Sequence, residues 1–166
     1  MRVTRKTAAL GAATAMLAGG LLTGTPATAA PAAACTGDQL SATGAERTDS
    51  SRVRFTVVND GPACQLRGFP TVALAGQGSP DQNKALRVIP RGQAQPVLLS
   101  QGGSASTVLT FTPVLGEADG YCASGADPTV APSLVVGVAG TGFQVAPDDG
   151  GQFALCGDTV RATAFR

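Results

Sequence analysis

A chain without histidine is cut off from the commonest routes to nucleophilic and metal catalysis. None occurs among these 166 residues. Ser-His-Asp and Cys-His nucleophile systems are therefore excluded, together with metal sites that use imidazole. A serine–lysine pair would have to use Lys84, because the other lysine, Lys6, lies in the basic start of the chain. Lys84 stands in Pro80-Asp81-Gln82-Asn83-Lys84, a polar segment that reads as an exposed loop. A solvated ammonium keeps a high pKa and makes a poor base. The carboxylate pairs are Glu46 with Asp49, Glu117 with Asp119, and Asp148 with Asp149. Glycoside chemistry needs one carboxyl of raised pKa facing a second across a cleft. These residues fall instead in Gly-, Ser- or Pro-rich stretches, where solvated turn carboxylates are expected, and aromatics that could stack on a sugar are scarce. Asp127, Asp148 and Asp149 could supply oxygens to calcium, but none follows the Asp-x-Asp-x-Asp-Gly spacing of a dedicated loop. No catalytic residue, cofactor or metal is expected.

The other reactive side chains are the cysteines Cys35, Cys64, Cys122 and Cys156. Their even number in an exported chain implies two disulfides. A four-thiolate zinc site would show close Cys-x-x-Cys pairs, which are absent. Four cysteines allow three connectivities. Cys35–Cys64 with Cys122–Cys156 is favoured, because in a sandwich the start of the first strand and the loop after the second share one end. Cys122 lies in the long loop from Gly116 to Pro132, and Cys156 just precedes the last strand. A bond there would pin a loop with few apolar anchors of its own.

Export is read from the first residues. Met1-Arg2-Val3-Thr4-Arg5-Lys6 is basic, an apolar run extends from Thr7 to about Leu22, and Ala27-Thr28-Ala29 offers small residues to a signal peptidase. The reading is a signal peptide over 1–29, a short Ala/Pro-rich spacer over 30–34, and one domain over 35–166. No segment is long and apolar enough to be a transmembrane helix. Thr4-Arg5-Lys6 is a poor twin-arginine match. Lipidation of Cys35 through Ala32-Ala33-Ala34-Cys35 is the minority alternative, since a Leu is missing before the Cys and Pro31 separates it from the apolar run. Removal of the leader leaves nine basic and eleven acidic residues, a net charge of −2. No basic cluster is left to follow phosphates, so nucleic acid is not an expected partner.

The elements that must position these residues are strands. Arg52 to Val57 and Ser106 to Thr112 alternate polar with apolar residues, the period of a strand with one buried face. Thr71 to Leu74, Leu86 to Ile89, Pro96 to Leu99, Leu134 to Val138 and Thr159 to Phe165 read the same way. Asn59-Asp60-Gly61-Pro62, Gly76 to Pro80, Gln101 to Ser104 and Asp148 to Gly151 punctuate them as turns. No window carries an apolar stripe at helical spacing. The expected fold is all-β, an immunoglobulin-like antiparallel β-sandwich of about seven strands stapled by two disulfides. The absence of Trp rules out the core tryptophan of antibody domains, so the likeness is one of architecture.

The most distinctive stretch is Val57-Val58-Asn59-Asp60-Gly61-Pro62-Ala63-Cys64-Gln65-Leu66-Arg67-Gly68-Phe69-Pro70. It runs from a strand ending in Asn through a Gly/Pro turn to Cys-x-Leu-x-Gly-aromatic-Pro. With Cys35 upstream, it resembles the secreted actinobacterial family catalogued as domain of unknown function 4232, over most of the chain after the leader. That resemblance implies no activity. Within the segment, Gly68 and Pro70 shape the chain. Phe69 either fills the core or, with Arg67, belongs to a rigid, disulfide-anchored loop presented to a ligand.

Together these features describe a secreted or cell-surface module that binds a partner and catalyses nothing. The partner classes are a cell-wall polymer or an extracellular protein. A structural envelope component without a discrete ligand is the alternative from another class, and a small secreted hydrolase is a third.

Overall fold

The computed structural model describes residues 31–166 except 77 and 117–119; the side chain of residue 80 is also undescribed. The signal-peptide reading of 1–29 and the Glu117–Asp119 pair therefore lie outside the described residues. Among the described residues, twelve strands and one short 3-10 turn account for the regular structure. The turn is Gly37–Gln39. The strands are β1 Leu40–Asp49, β2 Arg52–Asn59, β3 Cys64–Leu66, β4 Thr71–Gly76, β5 Ser79–Arg91 and β6 Val97–Leu99. They continue with β7 Ser104–Phe111, β8 Thr129–Ala131, β9 Ser133–Val138, β10 Thr141–Val145, β11 Phe153–Leu155 and β12 Thr159–Thr163. No helix among the described residues is long and apolar enough to cross a membrane.

Eight strands pair continuously in the order β1-β2-β7-β12-β5-β4-β9-β10, flanked by the ribbons β3–β6 and β8–β11. β5 is long enough to serve both layers of a sandwich. Its first part pairs with β4 (Leu86 opposite Val72), and its last part pairs with β12 (Val88 opposite Val160). The alternation seen in the sequence is the burial pattern of the strands. Val53, Phe55, Val57 and Asn59 of β2 point inward, as do Ala105, Thr107, Leu109 and Phe111 of β7. They meet Val72, Leu74, Leu86, Leu134, Val136 and Val138 from the opposite layer. Burial of each Val, Leu or Phe among them contributes roughly 1.5–3 kcal/mol.

The all-β, disulfide-stapled sandwich expected from the periodicity is the fold, with three differences. There are twelve strands among the described residues rather than about seven: β3, β8 and β11 are only three residues long each, and β1 and β10 also add to those read from the sequence. The pairing is not wholly antiparallel, since β12 runs parallel to β5. The polar segment leading to Lys84 is strand, not loop. It pairs with β4, Lys84 lying opposite Leu74, but Asp81 to Lys84 are all exposed, so no apolar face marks it.

Candidate functional site

Asn59 organises the end of the molecule that carries the distinctive segment. It is fully buried at the last position of β2. Its Nδ2 donates to the carbonyls of Pro62, Leu99 and Ser100 at 2.9, 3.2 and 3.2 Å. Its Oδ1 accepts from Gly61 N at 3.1 Å and from Gln39 Nε2 at 3.0 Å. Only an amide can donate and accept in this way. One side chain thus ties β2 to its following turn, to the end of β6, and to the 3-10 turn.

The turn delivers Cys64, whose disulfide to Cys35 fixes the N-terminal segment beside β3. The second bond joins Cys122 to Cys156, so the favoured connectivity is the one formed. Cys35 N donates to Gln65 O at 3.1 Å and Gln65 N donates to Ala33 O at 2.7 Å. The end of the spacer is therefore a short strand-like edge on β3. With its sulfur bonded to Cys64, Cys35 has no thiol left to carry a lipid.

β3 leads into Arg67-Gly68-Phe69. Arg67 is exposed, but its guanidinium is held: Nε and Nη2 both donate to Gln65 Oε1, at 3.1 and 2.7 Å. Gly68 turns the chain at φ 96°, in the left-handed region that a side chain disfavours. Pro70 is buried and Phe69 half-buried. Phe69 lies outside the core cluster and forms a wall of a trough of about 460 Å³ on the outer face of β5, β4, β9 and β10. Small side chains floor this trough. Ala73 lies between Ala85 and Val135 in register, and Gly137 lies between Thr71 and Gly142. A larger residue at 137 would force a shift, because a Cβ there would strike the Thr71 hydroxyl.

A second hollow of about 450 Å³ adjoins Arg67, Gln65 and Cys35. Ala139 lines both hollows. With φ 49°, it is the one non-glycine residue of positive φ among those described. The structure thus places the two sequence-predicted residues on adjoining hollows, Phe69 on the trough and Arg67 on the second hollow, with Ala139 lining both. The trough floor was not foreseen in the sequence, because it depends on the register between strands far apart in the chain.

The candidate catalytic residues are not brought together. Glu46 bonds Arg54 Nη1 at 3.1 Å, and Asp49 accepts from Ser51 N at 2.8 Å with Arg52 at 3.7 Å. Asp148 and Asp149 clamp Arg47: Arg47 N donates to Asp148 Oδ1 at 3.0 Å and Arg47 Nε to Asp149 Oδ2 at 2.6 Å. The Gly151 N–H and then the Arg47 guanidinium hold the Asp149 carboxyl below the usual carboxylate range. The Ser51 N–H does the same, foremost, for Asp49. Among the described residues, no three His, Cys, Asp or Glu side chains gather where a metal ion could sit.

Neither a curated protein nor a solved structure matches the chain. The family model described as Domain of unknown function (DUF4232) matches residues 35–166, which is the whole of the sandwich with both disulfides. This chain therefore belongs to the DUF4232 family.

Proposed function

We propose that this protein is a secreted, non-catalytic binding module of the cell exterior or envelope. Its site is the trough walled by Phe69 together with the adjoining hollow that carries Arg67, and its first partner class is a cell-wall polymer. Phe69 carries the reading. A large apolar side chain next to a disulfide-anchored strand would normally be core, yet this one stands outside the core cluster and walls a groove. A rigid ring beside a floor of small residues is a surface on which a flat or extended ligand can lie, and aromatic rings add contact area at low entropic cost. Arg67, preset by Gln65, adds a cation at the adjoining hollow. The left-handed Ala139 between the two hollows agrees with this, since such backbone strain concentrates at binding sites. The basic, apolar start of the chain and the two disulfides support an oxidising, extracellular setting. Glu46, Asp49, Asp148 and Asp149 are engaged by arginines and main-chain amides, which supports binding without catalysis.

The test is cosedimentation of the oxidised protein with cell walls isolated from the producing cells. Saturable pelleting, competed by soluble wall fragments and weakened at least about tenfold in Kd by Phe69→Ala, is the expected result. A protein that stays in the supernatant is not a wall-polymer binder. An extracellular protein partner or a purely structural role would then replace that reading.

A further inference from the structure

The eight-stranded sheet ends on β1 at one side and β10 at the other. Residues of these strands and of the segments next to them are pinned together at both ends of a seam. At one end, Gly37 packs so tightly on Thr141 that no Cβ would fit. At the other end, Ala45 bridges Pro147, Asp148 N donates to Ala45 O at 3.1 Å, and Arg47 holds Asp148 and Asp149. Between the pins lies a groove of about 660 Å³, bounded by Leu40 to Gly44 on β1 and by Gly142 to Ala146 at β10.

The two walls of this groove are a run of β1 and a run at β10. Strand register shows which groups of these walls are free.

A bulge accounts for the failure of β1 and β10 to pair. The register with β2 steps from Ala42–Val57 to Gly44–Thr56, which leaves Thr43 as an extra residue, and Gly44 takes φ 122°. A bulge bends its strand away from a straight neighbour. β10 is regular, pairing with β9 from Thr141–Val138 to Val145–Leu134. The two-residue turn between them makes Val138 and Thr141 a hydrogen-bonded pair. By alternation, the N–H and C=O groups of Gly142 and Gln144 then face the groove. Among the described residues, neither main chain has a partner there.

We propose that this seam receives an extended polypeptide segment of a partner protein, added as a strand to the free edge of β10. A row of donors and acceptors at strand spacing is matched by another extended backbone, the chemistry of strand addition. Gly142 to Ala146 offer five residues, about 17 Å at about 3.4 Å per residue, so the segment is short. The bulged β1 forms the far wall and discourages edge-to-edge pairing between copies of the chain. This surface is separate from the Arg67–Phe69 loop, and its fate is independent of the wall-binding reading.

The probe is a phage-displayed library of short random peptides selected on the oxidised protein. An enriched peptide is resynthesised in two forms, N-methylated at one or the other set of alternate residues. Strand addition predicts that one set weakens binding by about tenfold or more, from the loss of two or so main-chain bonds, while the other set is tolerated. It also predicts slowed amide exchange at Gly142 and Gln144 on binding. No enriched peptide, equal effects of the two methylated sets, or protection at amides elsewhere would each overturn the proposal.

Discussion

The side-chain amide of Gln39 donates to Oδ1 of the fully buried Asn59 at 3.0 Å and to Pro62 O at 3.1 Å. This pair joins the 3-10 turn before β1 to the turn after β2. The segment carrying Cys64, Gln65 and Arg67 follows directly, so the position of the candidate site depends on a buried amide some distance from it. Both Asn59 groups are saturated, and no buried side-chain polar atom among the described residues lacks a partner.

Asn59→Ala should therefore cost about 2–4 kcal/mol. It strands the buried Leu99 carbonyl and removes the bonds to Pro62, Ser100, Gly61 and Gln39 at once. Urea denaturation measures it. A loss below about 0.5 kcal/mol, the level of an ordinary surface change, would show that Asn59 is not the organiser described here.

The two disulfides close loops of similar length, with sequence separations of 29 and 34. On the chain-entropy account, each stabilises by roughly 3–4 kcal/mol. Cys35→Ala/Cys64→Ala and Cys122→Ala/Cys156→Ala should thus lose comparable stability in chemical denaturation. Only the first should also loosen the Arg67 loop, visible as faster amide exchange at Gln65 to Phe69. Equal loosening of that loop by both variants would contradict the anchoring role of Cys35–Cys64.

Asp149 gives the acid dependence a definite sign. Its folded-state pKa is depressed by the Gly151 N–H and by Arg47. Its contribution to stability is present above the unfolded carboxylate value of about 3.9 and is lost as pH falls through the folded value. Thermal denaturation from pH 6 to pH 2 should show a smaller acid loss for Asp149→Asn than for the wild type. Parallel curves would mean that the contact with Arg47 contributes nothing.

Gly137 and Thr71 form a packing pair across β9 and β4. A Cβ at 137 would strike the Thr71 hydroxyl, so Gly137→Ala should destabilise by about 1–3 kcal/mol, the usual range for overpacking. Removing the obstacle in Gly137→Ala/Thr71→Ala should restore most of that. Additive losses in the double variant, followed by thermal melting, would place the strain elsewhere.

Strands with one apolar face were legible in the sequence. β2 and β7 alternate along their length because one side of each packs on the opposite layer. β1 escaped because its register shifts after Ala42 and again after Arg47, which scrambles the period of two. The start of β5 escaped because Asp81 to Lys84 are exposed, and exposed strand is polar in composition like a loop. At the candidate site, Arg67 and Phe69 were marked by an irregular local motif. The floor of Ala73, Ala85 and Gly137 was hidden, since small residues gain meaning only when strand register places them side by side. The seam was hidden for a similar reason: it is made of main chain, which no residue type announces.

The most direct test of the binding account is an amide-resolved NMR titration of the oxidised protein with soluble cell-wall fragments. The account predicts saturable shifts confined to Gln65 through Ala73 and Val135 through Gly142, reduced in Phe69→Ala. Unchanged spectra, or shifts confined to residues away from Phe69 and its trough, would contradict it.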